Sequence, residues 1–189
     1  MLVDLILFEW GGTLACVSRQ NKTLLKGVIE AVGIITGTVE DELVDSLMKA
    51  LLSAESQADA DPSHREADMA NVITDWAQSL GISDSERISA AGQAIGQSWV
   101  GSLDLIPGVA DTLGILRDRG YKLSLVSNCL VGPPYCYQEI TRLGLTDLLG
   151  FIVFSSVVGY RKPSPIIYEQ ALKLAYPDGR PDNLSHVLF

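Results

Sequence analysis

Hydrophobic and polar positions follow two rhythms along the chain. An apolar run from Leu2 to Phe8 has the length of a buried strand. It ends at Glu9, and Trp10-Gly11-Gly12-Thr13-Leu14 then turns the backbone over paired glycines. Helical spacing follows. Leu24, Leu25, Val28, Ile29 and Val32 share one face, with Gly33 as a stop. Leu43, Val44, Leu47, Met48 and Leu51 repeat the pattern behind Glu40, Asp41 and Glu42, whose charges suit a helix N-terminus. Met69, Val72, Ile73, Trp76 and Leu80 form a third stripe ended by Gly81, and Ile88, Ala91, Ile95 and Trp99 a weaker fourth. The polar stretch Ser56 to Ser63, broken by Pro62, reads as a loop. The spacing predicts an all-helical, four-helix bundle over residues 15–102.

Beyond Ser102 the pattern alternates. Ile106-Pro107-Gly108-Val109 opens a helix carrying Leu113 and Leu116 and closing at Arg119-Gly120. A strand, Leu123 to Val126, ends in Ser127-Asn128, and a helix from Pro133-Pro134 reaches Leu143-Gly144. Phe151 to Phe154 reads as a strand, Val157 to Pro163 as a loop, Pro165 to Leu174 as a helix, and His186 to Phe189 as the start of a fourth strand. Strands alternating with helices predict right-handed β-α-β crossovers and a parallel sheet. The expected class is therefore α/β: a Rossmann-like core from residues 1–14 and 103–189, with the helical segment 15–102 inserted after the first strand. There is no internal repeat or low-complexity tract.

Composition narrows the function classes. The 189 residues suffice for one domain, or a core with an inserted subdomain, and 47% hydrophobic with 20% charged residues excludes a disordered chain. A net charge of -9 argues against binding nucleic acid through phosphate neutralisation. It leaves room for an anionic small-molecule substrate held by a few local cations and backbone N–H groups. No apolar run reaches the ~20 residues of a membrane span. The first apolar run has no basic stretch before it and soon meets Glu9, which predicts no secretory signal. Cys16, Cys129 and Cys136 are odd in number and lack metal-ligand spacing, so a reduced, cytoplasmic setting is expected. His64 and His186 lie far apart and suggest no histidine site. Nothing in the sequence selects an oligomeric state.

Three strand ends carry the candidate chemistry: Glu9, Ser127-Asn128, and Lys162 in the loop after the third strand. In open α/β sheets, ligands bind outside the carboxyl ends of the strands. A carboxylate can attack or hold a metal, a hydroxyl can bind substrate oxygens, and an ammonium can balance accumulating negative charge. Each residue also has a plainer reading. Glu9 can be a polar strand terminus, Ser127-Asn128 an Asx turn or N-cap, and Lys162 an exposed loop residue. Trp10 reads as packing more than as a substrate contact, and Cys129 as a buried, inert thiol.

In order and spacing these segments resemble the haloacid dehalogenase (HAD) superfamily, in its subgroup with a helical cap inserted after the first strand. Glu9-Trp10-Gly11-Gly12-Thr13-Leu14 is similar to its first motif, Asp-x-Asp-Gly-Thr-Leu, and Val126-Ser127-Asn128 to its second. Gly159-Tyr160-Arg161-Lys162-Pro163-Ser164-Pro165 is similar to its third, and Ile106-Pro107-Gly108-Val109 to the return from cap to core. The resemblance implies a phosphatase-type hydrolase acting on a small phosphorylated metabolite. It assigns catalytic posts to Glu9, Gly11 and Lys162 and substrate contacts to Gly12, Thr13, Ser127 and Asn128. It also implies magnesium, held here by Glu9 and the Gly11 carbonyl.

The chain departs from that pattern in three ways. Glu9 is one methylene, about 1.5 Å, longer than the family's aspartate, and a misplacement of about 1 Å costs on the order of 100-fold in rate. Gly11 supplies no side-chain acid. The family's acidic fourth motif is not found before Phe189. Two other readings follow: a non-catalytic binding or regulatory module that kept the fold, and a 2-haloacid dehalogenase-like hydrolase using cations such as Arg19 or Arg65.

Overall fold

The computed structural model describes residues 3–17, 23–179, 181 and 183–189. Strand β1 (Leu5–Phe8) is followed by β2 (Ala15–Val17) and helices α1 (Thr23–Thr36), α2 (Asp41–Ala60), α3 (Met69–Ser79) and α4 (Ser85–Trp99). Then come β3 (Leu103–Leu105), α5 (Val109–Asp118), β4 (Lys122–Ser127), α6 (Pro133–Arg142), β5 (Ile152–Phe154), the short α7 (Ser155–Val158), α8 (Pro165–Ala175) and β6 (Val187–Leu188).

The main sheet has the order β5-β4-β1-β6, and each of its pairs is parallel. Phe8 is paired with Leu125, and Ser127 with Phe154. This register brings the carboxyl ends of β1, β4 and β5 side by side. Alternation along the strands divides the core between two faces. Ile6, Leu123 and Leu125 pack with Leu113 of α5 and Ile140 of α6, whereas Leu5, Leu7, Val126 and Val153 pack with Ile167 and Ala171 of α8. The result is the helix–sheet–helix layering of an α/β protein.

Helices α1 to α4 bury a core of their own, in which Val28, Val32, Ile35, Val44, Leu47, Leu51, Ile73, Trp76 and Ile95 are packed. Asp68 and Asp84 accept backbone N–H groups at the starts of α3 and α4, satisfying donors that a helix leaves open.

Several elements differ from expectation. Residues 15–17 are a strand, not part of the bundle: Ala15 pairs with Leu105, Cys16 with Asp104 and Val17 with Leu103 in an antiparallel ribbon where the chain leaves and rejoins the sheet. Three residues are too few for a period to register. Helix α1 passes Gly33 because Ile34 and Ile35 extend its apolar stripe, and it stops before Gly37, whose φ of +81° ends the turn. Helix α2 absorbs Ser56 to Ala60, where Ala58 is buried, and ends ahead of Pro62. The segment read as a loop from Val157 begins inside α7.

Candidate active site

Glu9 is the first residue beyond β1, and the turn after it is built around the Trp10 carbonyl, which accepts N–H groups from Thr13, Leu14 and Ala15. Gly12 N–H donates to Ala15 O at 2.8 Å, and Gly12 has a φ of +76°, a conformation that suits glycine. The backbone donors of Gly12 and Thr13 are thus engaged within the turn. Trp10 is 2% exposed and packs edge-on against Trp99 (5.2 Å between centroids) and at a tilt against Phe154 (5.5 Å). It anchors the turn to the end of α4, in line with packing.

The Glu9 carboxylate meets the other two expected side chains. Ser127 Oγ donates to Glu9 Oε1 at 2.6 Å, and Trp10 N–H donates to the same oxygen at 3.0 Å. Lys162 Nζ lies against Glu9 Oε2 and also donates to Val126 O at 2.9 Å. Burial pushes the Lys162 ammonium down to about 8. At about 8 the ammonium form still predominates at neutral pH. Carboxylate, hydroxyl and ammonium therefore share one edge of the sheet.

Asn128 has a different geometry. Its Oδ1 accepts Lys162 N–H at 2.8 Å and its Nδ2 donates to Lys162 O at 3.4 Å. The side chain clasps the lysine loop to the end of β4. Gly11 is exposed, with open space where a Cβ would stand. Arg65 lies over the Tyr160 ring, 5.0 Å from its centroid, and Arg19 falls outside the described residues. Cys129 is half-buried, and its Sγ is 3.1 Å from that of buried Cys136. A cavity of about 190 Å³ opens beside the site, lined mostly by apolar residues such as Leu51, Met69 and Trp99, together with Asn128, Cys129 and Glu55.

Magnesium takes near-octahedral oxygen coordination. Toward it the chain offers Glu9, both of whose oxygens already have partners, and the Gly11 carbonyl. Among the described residues no group of three His, Cys, Asp or Glu side chains could hold a metal. Magnesium is held by one or two carboxylates together with waters and substrate phosphate, so Glu9 and the Gly11 carbonyl are the residues that would hold it here, and no step below runs through the ion. Among the described residues, no helix is long and apolar enough to cross a membrane.

Two buried acids had no signal in the sequence. Glu66, in the loop between α2 and α3, contacts Ser155 and Arg161. Glu139 in α6 accepts Gly101 N–H, Leu103 N–H and the Arg142 guanidinium. Apart from Arg142 and the Ala67 N–H, which donates to Glu66 at 2.9 Å, their partners lie 36 or more residues away, so no local pattern announces them.

The fold is an α/β sheet with a carboxylate, a hydroxyl and an ammonium gathered at its carboxyl edge. A family model described as haloacid dehalogenase-like hydrolase matches residues 3–187, and the chain belongs to that family. A glyceraldehyde 3-phosphate phosphatase of Methanopyrus kandleri is 26% identical over 176 residues, covering 91% of this chain and 70% of that protein. One from Pyrococcus abyssi is 32% identical over 68 residues, 36% of this chain and 28% of that protein. The chain thus matches well under half the length of the second relative. Among solved structures, the 2-haloacid dehalogenase of Pseudomonas syringae pv. Tomato shares the fold, with a TM-score of 0.61, 21% identity, and coverage of 92% of this chain and 73% of that one.

Proposed function

We propose that the protein is a phosphatase-type hydrolase acting on a small phosphorylated metabolite, with residues 15–102 serving as a helical cap over a core of residues 1–14 and 103–189. The observation that carries this reading is the convergence of Ser127 Oγ and Lys162 Nζ on the two oxygens of Glu9. The phosphatase relatives support it.

A bound phosphate ester takes over Ser127 Oγ–H as partner and frees a Glu9 oxygen to attack phosphorus. The phosphorus–oxygen ester bond breaks and the alcohol leaves, taking its proton from water, because Gly11 supplies no acid. Lys162 offsets the charge gathering on the phosphoryl oxygens. Asn128 keeps the lysine loop in register. Water then cleaves the glutamyl phosphate, releasing inorganic phosphate and restoring Glu9. The extra methylene of Glu9 and the missing acid predict slow turnover.

The engagement of both Glu9 oxygens also suits a binding module without turnover. Phosphate release from a panel of phosphate esters, run with and without magnesium, separates the two. Turnover abolished in Lys162→Ala supports the hydrolase, and no release from any ester supports the binding module. Halide release from 2-haloacids by the same preparation would instead support dehalogenase chemistry.

A further inference from the structure

We propose that Glu66 is a positioning residue that fixes the spacing between the Ser127–Asn128 turn and the Lys162 loop from the helical layer above them. For its effect on turnover this role rests on the phosphatase reading; its effect on loop order does not.

The loop from Asp61 to Ala67 docks on the lysine-bearing loop through its backbone. Arg161 N–H donates to His64 O at 2.8 Å, Glu66 N–H donates to Gly159 O at 3.1 Å, and Arg65 forms an antiparallel bridge with Tyr160. His64 has a φ of +54°, unusual for a side-chain-bearing residue.

Side chains complete the junction. Arg161, 5% exposed, pairs with Asp59 at 2.8 Å and Glu66 at 3.3 Å, and donates to Glu55 O at the same 3.3 Å. Only 2% of the Glu66 side chain is exposed. Its other oxygen accepts Ser155 Oγ–H, and Ser155 Oγ accepts Cys129 N–H at 2.8 Å.

These contacts close a ring. Glu66 holds Arg161, whose neighbour Lys162 is clasped by Asn128; Asn128 adjoins Cys129, which Ser155 ties back to Glu66. One carboxylate from the helical layer therefore reaches both loops that meet at Glu9. Removing it leaves the Arg161 guanidinium the Glu55 carbonyl and Asp59, whose side chain is 64% exposed and contributes little as a screened partner. It also leaves Ser155 free to rotate away from Cys129. The buried carboxylate determines whether docking of the helical layer also sets the distance between Ser127 and Lys162.

Peptide-resolved amide hydrogen exchange on the full chain, run beside phosphate-release kinetics, tests this. Glu66→Ala is expected to raise exchange in both 128–131 and 159–163. It lowers kcat about 100-fold, as a displacement of about 1 Å would, with KM little changed. Glu66→Gln, which keeps an acceptor for Ser155, restores protection in 128–131. Ser155→Ala raises exchange in 128–131 and leaves 159–163 as in the wild type. Changes confined to 61–67 in Glu66→Ala overturn the role, as does equal loosening of both segments in Ser155→Ala. Should Glu66→Ala fail to fold, the Glu66→Gln and Ser155→Ala comparisons decide by the same criteria. A wild type that releases no phosphate overturns the hydrolase reading, and the exchange pattern alone then decides the ring.

Discussion

Glu139 offers the sharpest test of how the helical layer is fixed to the sheet. Its side chain is fully buried and accepts Gly101 N–H at 2.6 Å, Leu103 N–H at 3.0 Å, and Arg142 Nε and Nη2 at 2.7 Å each. Gly101 and Leu103 belong to the segment that returns from α4 to β3, so this carboxylate ties that return to α6. Glu139→Ala strands the buried Leu103 N–H, at about 1–3 kcal/mol, and removes charge-assisted bonds that contribute about 1.5–3 kcal/mol. Gly101 is exposed and the Arg142 side chain is 41% exposed, so both turn to water at small further cost. The sum is on the order of 2.5–6 kcal/mol. Urea unfolding at pH 7 measures it, and Glu139→Gln is expected to lose about 1–3 kcal/mol, since it keeps one acceptor oxygen.

The pH dependence adds a second constraint. Burial pushes the Glu139 carboxyl up, but the bonds from Arg142, Gly101 and Leu103 outweigh it and hold it below the usual carboxylate range. A depressed folded value gives stability that is full above the unfolded value and lost as pH falls through the folded one. The gap between wild type and Glu139→Gln should therefore be constant above about pH 5 and shrink below about pH 4. A loss under about 1 kcal/mol in Glu139→Ala, or a gap that widens in acid, would refute the reasoning.

Glu9→Asp shortens the carboxylate by one methylene and is expected to raise phosphate-ester turnover by up to about 100-fold, read as initial rates of phosphate release; a fall would show that the longer side chain suits this site. Gly96→Ala adds a Cβ that would stand 2.2 Å from the Tyr135 ring at the contact between α4 and α6. It should destabilise by about 1–3 kcal/mol in urea unfolding, despite the better helix propensity of alanine. Asp84→Ala removes the N-cap of α4 and should lower stability by about 1 kcal/mol in the same assay.

The parallel sheet and three of its strand ends were legible because each strand is a short apolar run closed by a polar or glycine-rich turn. That pattern predicts Glu9, Ser127 and Lys162 at one edge, and the side chains meet there. The ribbon of β2 and β3 was not legible, since three-residue strands carry too little alternation to separate from helix or loop. The end of α2 was misread because Ser56 to Ala60 is polar yet faces partly inward through Ala58. The resemblance assigns Asn128 a substrate contact; its clasp on the Lys162 backbone is a further role that only the fold reveals. Glu66 and Glu139 were silent because a buried acid is recognised by its partners, and most of these are brought near only by the fold.

The direct measurement of the central claim is an acid-quenched reaction with a turned-over phosphate ester, followed by peptide mass spectrometry. A phosphoryl adduct on Glu9 in the wild type, absent from Glu9→Gln along with phosphate release, is the predicted result. Phosphate release that persists in Glu9→Gln, or an adduct on another residue, would contradict it.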